Sequence, residues 1–183
     1  RSQIINLTGI NKADTAVATS SGDIVLFGKD NVAFSGDAVT NGGKFDVSSE
    51  ATISFTGTTA NAETNTPENK VVVVTDGGDI AINAVRGSTG TTSVEVVNAV
   101  LDASDKATDG TANGNVKIKA ETKTETYSWA IGMESVAEID IEKSEIAGDN
   151  VNVFASASNT GVVGQDPENV TEEGTEESSM EEY

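Results

Sequence analysis

The chain has 183 residues, with 11 Lys and Arg against 30 Asp and Glu, no cysteine and no histidine, and a formal net charge of −19. That length excludes a large two-domain enzyme, and the charge repels phosphate backbones and anionic headgroups, so neither a nucleic-acid partner nor membrane insertion is expected. Without Cys and His there are no disulfides, no thiolate or Ser-His-Asp chemistry, and almost no zinc, copper or haem site, which leaves hard, oxygen-liganded cations such as calcium as the only metal class.

Aromatic residues make up 4% of the chain, beside 18 Gly and 2 Pro, so a core must be built from Val, Ile, Ala and a few Phe. The chain starts at Arg1 with neither an initiator Met nor an apolar leader, which predicts a processed product or an excised segment whose targeting signal lies elsewhere. An acidic composition rich in Thr, Asn and Gly favours an extracellular repeat protein.

In chain order, apolar residues fall in pairs two apart: Ile24/Leu26, Val32/Phe34, Phe45/Val47, Ile53/Phe55, Ile80/Ile82, Val94/Val96, Val116/Ile118, Ile139/Ile141 and Val151/Val153. Polar or small residues separate most of them, and Gly, Asn, Asp or Ser lie nearby. This is the period-2 pattern of short β-strands, and no window carries the i, i+3, i+4, i+7 pattern with caps. An all-β chain with almost no helix is predicted.

The strands repeat. Gly78-Asp79-Ile80-Ala81-Ile82-Asn83-Ala84, Gly114-Asn115-Val116-Lys117-Ile118-Lys119-Ala120 and Gly148-Asp149-Asn150-Val151-Asn152-Val153-Phe154-Ala155 share a small-polar turn followed by V/I-x-V/I-x-A, at spacings of 36 and 35 residues. Upstream, Val94, Val96, Ala99 and Leu101 align with Ile139, Ile141, Ser144 and Ile146 at a constant offset of 45. The drop in offset marks Ser104 to Asn113 as a loop inserted in one copy, and Thr59 to Asn69 reads as a second insertion.

One such unit cannot exclude water from its narrow apolar face, whereas stacked units can. The expectation is therefore a β-solenoid over residues 1–164. Successive strands would lie about 4.8 Å apart, with Val116, Ile118, Val151 and Val153 lining the interior and Lys117, Lys119 and Asn152 facing solvent. Gly, Asn and Asp are expected at corners for their tolerance of positive φ. A β-sandwich is the alternative, since its strands alternate in the same way. Residues 165–183, acidic and without a basic residue, are expected to be a disordered tail or linker.

Motifs that carry chemistry are weak. Asp105, Asp109 and Gly110 match three positions of an EF-hand loop, but Ala107 and Val116 stand where further ligands are needed, so no metal ligand is assigned. Asp76 and Asp79 form the one candidate carboxylate pair, with only Arg1 and Arg86 to supply a guanidinium. A corner role explains that turn more simply than catalysis, and no catalytic or cofactor-binding residue is assigned. Tyr127 and Trp129 are candidates for an aromatic patch that would stack on sugars, with coverage of a core edge favoured. Thr122, Thr124 and Thr126 would place three hydroxyls on one strand face, reminiscent of flat ice-binding arrays, but the other coils do not repeat the ladder and no such array is assigned. Asn6 and Asn169 begin Asn-x-Thr sequons.

The stretch from Ser135 to Ser158, SVAEIDIEKSEIAGDNVNVFASAS, resembles a repeat of the large bacterial filamentous adhesins, the filamentous-haemagglutinin-like and leukotoxin-type surface proteins. The likeness extends over roughly residues 70 to 160. It implies a right-handed parallel β-helix, secretion to the bacterial cell surface and a fibre or stalk role, and it transfers no catalytic residues. The function expected is a non-enzymatic structural or adhesive module. Its partners would be a host or neighbouring-cell surface protein or glycan, or further copies joined head to tail. A carbohydrate-active β-helix enzyme and a β-sandwich binding domain are the alternatives.

Overall fold

The computed structural model describes residues 6–7, 10–12, 15–19, 22–60, 63, 67–105, 113–127 and 134–162. The expected tail at 165–183 lies outside them. The described residues are all-β, with sixteen strands in three sheets and no helix.

The first three strands are short: β1 (Asn6–Leu7), β2 (Ile10–Lys12) and β3 (Thr15–Ala18). The chain then reverses through a turn in which Thr19 accepts from Gly22 N at 3.1 Å and its hydroxyl accepts from Asp23 N at 3.0 Å. Four rounds of three strands follow. They are β4 (Ile24–Gly28), β5 (Asn31–Phe34) and β6 (Asp37–Val39); β7 (Phe45–Ser49), β8 (Thr52–Thr56) and β9 (Val71–Val74); β10 (Ile80–Arg86), β11 (Gly90–Val97) and β12 (Ala99–Asp102); and β13 (Val116–Tyr127), β14 (Ser135–Glu142) and β15 (Glu145–Ala147). The last strand, β16 (Val151–Val162), begins a fifth.

From β4 onward each strand pairs in parallel with the strand three places on, so the chain visits the three sheets in rotation, one circuit per three strands. Parallel strands cannot be joined by tight hairpins, and here the other two sheets serve as the crossover. A sandwich of antiparallel sheets would not show this pairing.

The register follows the repeats residue by residue. Ile80 stands beside Val116 and Val116 beside Val151; Ile82, Ile118 and Val153 form the next column, and Ala84, Ala120 and Ala155 a third. Val94 and Val96 pair with Ile139 and Ile141, and Leu101 with Ile146, across the insertion at 104–113. Side chains of alternate residues share a face, so each in-register column is all inward or all outward. The inward columns of all three sheets meet in one hydrophobic core running from Ile24 to Ala120, with Ala137, Ile139 and Ile146 packed against it. Near the start of the chain it is widened by Phe34, Phe45 and Phe55, whose ring centroids lie 5.6–6.0 Å apart in tilted and edge-on pairs.

The structure departs from the sequence-based expectations in three respects. First, β1, β2 and β3 pair antiparallel with β6, β5 and β4, so the chain begins by tracing one circuit backwards. Alternation reports which residues share a face and is blind to strand direction, which the turn at 19–23 sets. Second, Val151 and Val153 occupy inward columns but are 47% and 46% exposed, because no described strand lies beyond β16.

Third, Gly43, Gly78 and Gly114 are needed for space rather than for positive φ. A Cβ on each would run into the carbonyl of the corresponding glycine one circuit earlier: Gly22, Gly43 and Gly78. The expected positive φ at turns does fall on Gly, Asp and Asn, at Gly22, Gly42, Gly77, Asp76 and Asn98, and also on Gly90 and Lys143. Thr122 and Thr124 are buried, which agrees with setting the threonine array aside. Their parity is that of Val116, Ile118 and Ala120, so they point inward, where Thr122 meets the Thr92 hydroxyl at 2.9 Å and donates to Val136 O at 2.8 Å. Thr124 meets the Ser135 hydroxyl at 2.7 Å. An exposed threonine array is ruled out for these two positions.

Candidate functional site

Outward-facing residues on strands, the corners and the loops leaving them are the surfaces available for function. The first corner carries a polar ladder built by the stacked glycine turns. Asp23 Oδ1 accepts from Lys44 N at 2.8 Å, Asp79 Oδ1 from Asn115 N at 2.9 Å and Asn115 Nδ2 at 3.1 Å, and Asn150 Nδ2 donates to Asn115 Oδ1 at 2.9 Å. The Asn115 backbone N–H holds the Asp79 carboxyl below the usual carboxylate range, with Asn115 Nδ2 and the Lys44 ammonium adding to the effect. Asp79 is thus a structural link between circuits. Asp76, its suggested catalytic partner, sits in the left-handed turn beside it, and the Arg86 Nε donates to Ser88 Oγ at 3.0 Å.

The two inserted loops leave from different corners. The 59–69 segment departs between β8 and β9, and its neck is closed by paired backbone bonds, Thr58 N to Asn69 O at 2.8 Å and Asn69 N to Thr58 O at 2.9 Å. Asn98, one circuit on, clamps that neck: its Nδ2 donates to Thr58 O at 2.8 Å and to Asn69 O at 3.3 Å. The backbone of Asn98 is left-handed, a conformation asparagine tolerates, and its side chain is directed into the neck by the same turn. The 104–113 segment departs between β12 and β13, with Asp105 N donating to Asn113 Oδ1 at 3.0 Å and Gly114 N to Ala103 O at 2.8 Å across its base. Sequence reading found both insertions but not Asn98. Its signal was present only as an asparagine between two strands.

On the outer face of β13, Glu121 sits between Lys119 and Lys123, bonded to both, with Lys123 Nζ at 2.7 Å. Hydrogen bonds from Lys119 and then Lys123 lower its proton affinity. On the outer face of the neighbouring sheet, Ser93, Glu95, Glu138 and Asp140 line a shallow depression of ≈ 230 Å³. The register sets Glu95 beside Asp140, two like charges with no cation in the lining. Among the described residues no group of three or more acidic side chains is arranged to hold a metal ion. Of the EF-hand-like positions, Asp105 is described at the loop base, while Asp109 and Gly110 lie outside the described residues, as do Arg1, Trp129, Asn169 and the side chains of Asn6, Thr126 and Tyr127.

Comparison of the chain with protein-family models, with curated proteins and with solved structures returns no match.

Proposed function

We propose that the chain is a non-enzymatic, extracellular structural or adhesive module, a right-handed parallel β-helical section of a bacterial surface protein of the filamentous adhesin type. Its mechanism is geometric: parallel circuits in fixed register make a stiff support, and the loops at 59–69 and 104–113 offer contacts to a host or neighbouring-cell protein or glycan. The observation that carries this reading is the uninterrupted column register across both insertions, with each loop pinched at its neck. A scaffold that keeps its register while loops of different length leave its corners is suited to display.

The test is binding to intact cell surfaces and to arrayed glycans by the native chain and by a variant with both loops replaced by short Gly-Asn turns. Retained melting behaviour with lost binding supports the reading. Binding that survives loop replacement, or turnover of acidic polysaccharides with or without added calcium, would overturn it.

A further inference from the structure

Among the described strands, only β13 carries more than one basic residue: Lys117, Lys119 and Lys123 are three of the chain's 11. Their shared parity sets them on its outer face, in a row with Glu121. Against Glu121 and Glu125 the three lysines leave the strand one positive charge in excess. The register neighbours of Lys117 are Ala81 and Asn152, and those of Lys119 are Asn83 and Phe154, so no carboxylate flanks either lysine across the sheet. Asn152, Phe154, Ser156 and Ser158, the outward residues of β16 beside this row, are all uncharged.

The chain continues from β16 into 163–183, 21 residues by the numbering, with eight acidic residues between Asp166 and Glu182 and no basic one. Val162, at the end of β16, is paired with Tyr127 on β13. Back along β16, Ser158 stands at the level of Lys123 and Asn152 at the level of Lys117, about 13 and 33 Å from Val162 at the rise of a strand. An extended chain of that length spans up to about 70 Å, so a return from Gly164 reaches the whole row. Glu172/Glu173 and Glu176/Glu177 are four residues apart, the spacing of Lys119 and Lys123.

We propose that the chain's own acidic segment, 165–183, turns back at Gly164 and lies over the outer face of β13 and β16, with its carboxylates against Lys117, Lys119 and Lys123. Tether and charge select this occupant together. The segment leaves from the strand next to the lysines, whereas the outer face of the neighbouring β14 carries Glu138, Asp140 and Glu142 and repels it. Exposed ion pairs contribute little singly, so the contact depends on several forming at once and on the high local concentration that the tether supplies. It is therefore intramolecular and weakens as salt screens it. While it holds, the lysine row is masked, and a separate anionic ligand must compete with the segment to reach it.

The full chain has no cysteine, so a nitroxide attached through Ser178→Cys is unique, and its broadening of amide signals in the NMR spectrum tests the contact. At about 50 mM NaCl, residues 117–123 and 152–158 should be broadened and β5, in the first round, should not; at about 500 mM the broadening should fall at least about threefold. Lys117→Gln combined with Lys123→Gln should lower it by a similar factor at low salt, the same two positions changed to Arg should retain it, and Lys29→Gln should have no effect. Broadening spread evenly over all strands, or indifferent to loss of the two lysines, would overturn the proposal. So would broadening seen when isotope-labelled chain without nitroxide is mixed with unlabelled chain that carries it, because the segment would then lie on a second copy.

Discussion

The segments Val116–Ala120 and Val151–Ala155 carry the same V-x-V/I-x-A pattern and stand side by side in register, yet Val116, Ile118 and Ala120 are buried while Val151 and Val153 are about half exposed. Burial here is a property of position in the stack, not of the motif. A strand with a neighbour on both sides loses its apolar face to the core; a strand with one neighbour keeps the face and gains little from it. Stability should therefore be graded from the interior circuits toward β16, as expected where each unit contacts only its neighbours.

The largest test of that gradient is truncation within a single column. Ile118→Ala should cost about 2–5 kcal/mol and Phe55→Ala, from the three-ring cluster, about 3–5 kcal/mol, whereas Val153→Ala should cost about 1 kcal/mol or less, all read by urea denaturation. Equal losses at Ile118 and Val153 would mean that β16 is covered in solution.

Glycines sharpen the contrast between corner and loop. Gly78→Ala forces a methyl group into the Gly43 carbonyl and should cost about 1–3 kcal/mol, because backbone rather than a flexible side chain must move. At Gly87 nothing lies within 4 Å of an added Cβ, so Gly87→Ala should be neutral or stabilising by up to about 1 kcal/mol. Asn98→Ala removes the clamp on the 59–69 loop and should cost about 1–2 kcal/mol, with faster proteolysis within that loop as a second readout.

The smallest effect is that of pH on the corner ladder. Asp79 has its folded pKa held below the unfolded value, so its contribution is complete above the ordinary carboxylate range and disappears as pH falls through the lower folded value. Glu121 between its two lysines behaves with the same sign. Wild-type chain should thus exceed Asp79→Asn and Glu121→Gln in stability near neutral pH, and the gap should narrow on acidification, as followed by thermal melts across that range. A gap that widened toward low pH would reverse the assigned direction for both groups.

The columns were legible in the sequence because two independent patterns agreed: period-2 alternation assigned each residue to a face, and the recurring Gly-Asp/Asn turn assigned each strand to a circuit. Together they place Ile82, Ile118 and Val153 in line, as the register has them. The parity of residues 116 to 124 puts Thr122 and Thr124 on the inward face, but nothing adjacent in sequence shows what satisfies their hydroxyls there. The partner is another strand's Thr92 and a backbone carbonyl, and neither is adjacent in sequence. What could not be read was direction and ending. The reversal into β1–β3 depends on the local geometry of one turn, the role of Gly43, Gly78 and Gly114 on the close approach of the previous circuit, and the exposure of Val151 and Val153 on what lies beyond the strand.

Register between circuits is the claim on which the display surface, the stability gradient and the open edge all rest, and a disulfide trap measures it directly in this cysteine-free chain. Lys117 and Asn152 are outward-facing register partners on adjacent parallel strands, a separation of about 4.8 Å that falls within the Cα range a disulfide spans. Lys117→Cys combined with Asn152→Cys should therefore cross-link within the monomer under mild oxidation, while Lys117→Cys combined with Ser156→Cys, displaced four residues along the same strand, should not. Cross-linking of the displaced pair in preference to the aligned pair, or of neither, would contradict the stacked-column structure.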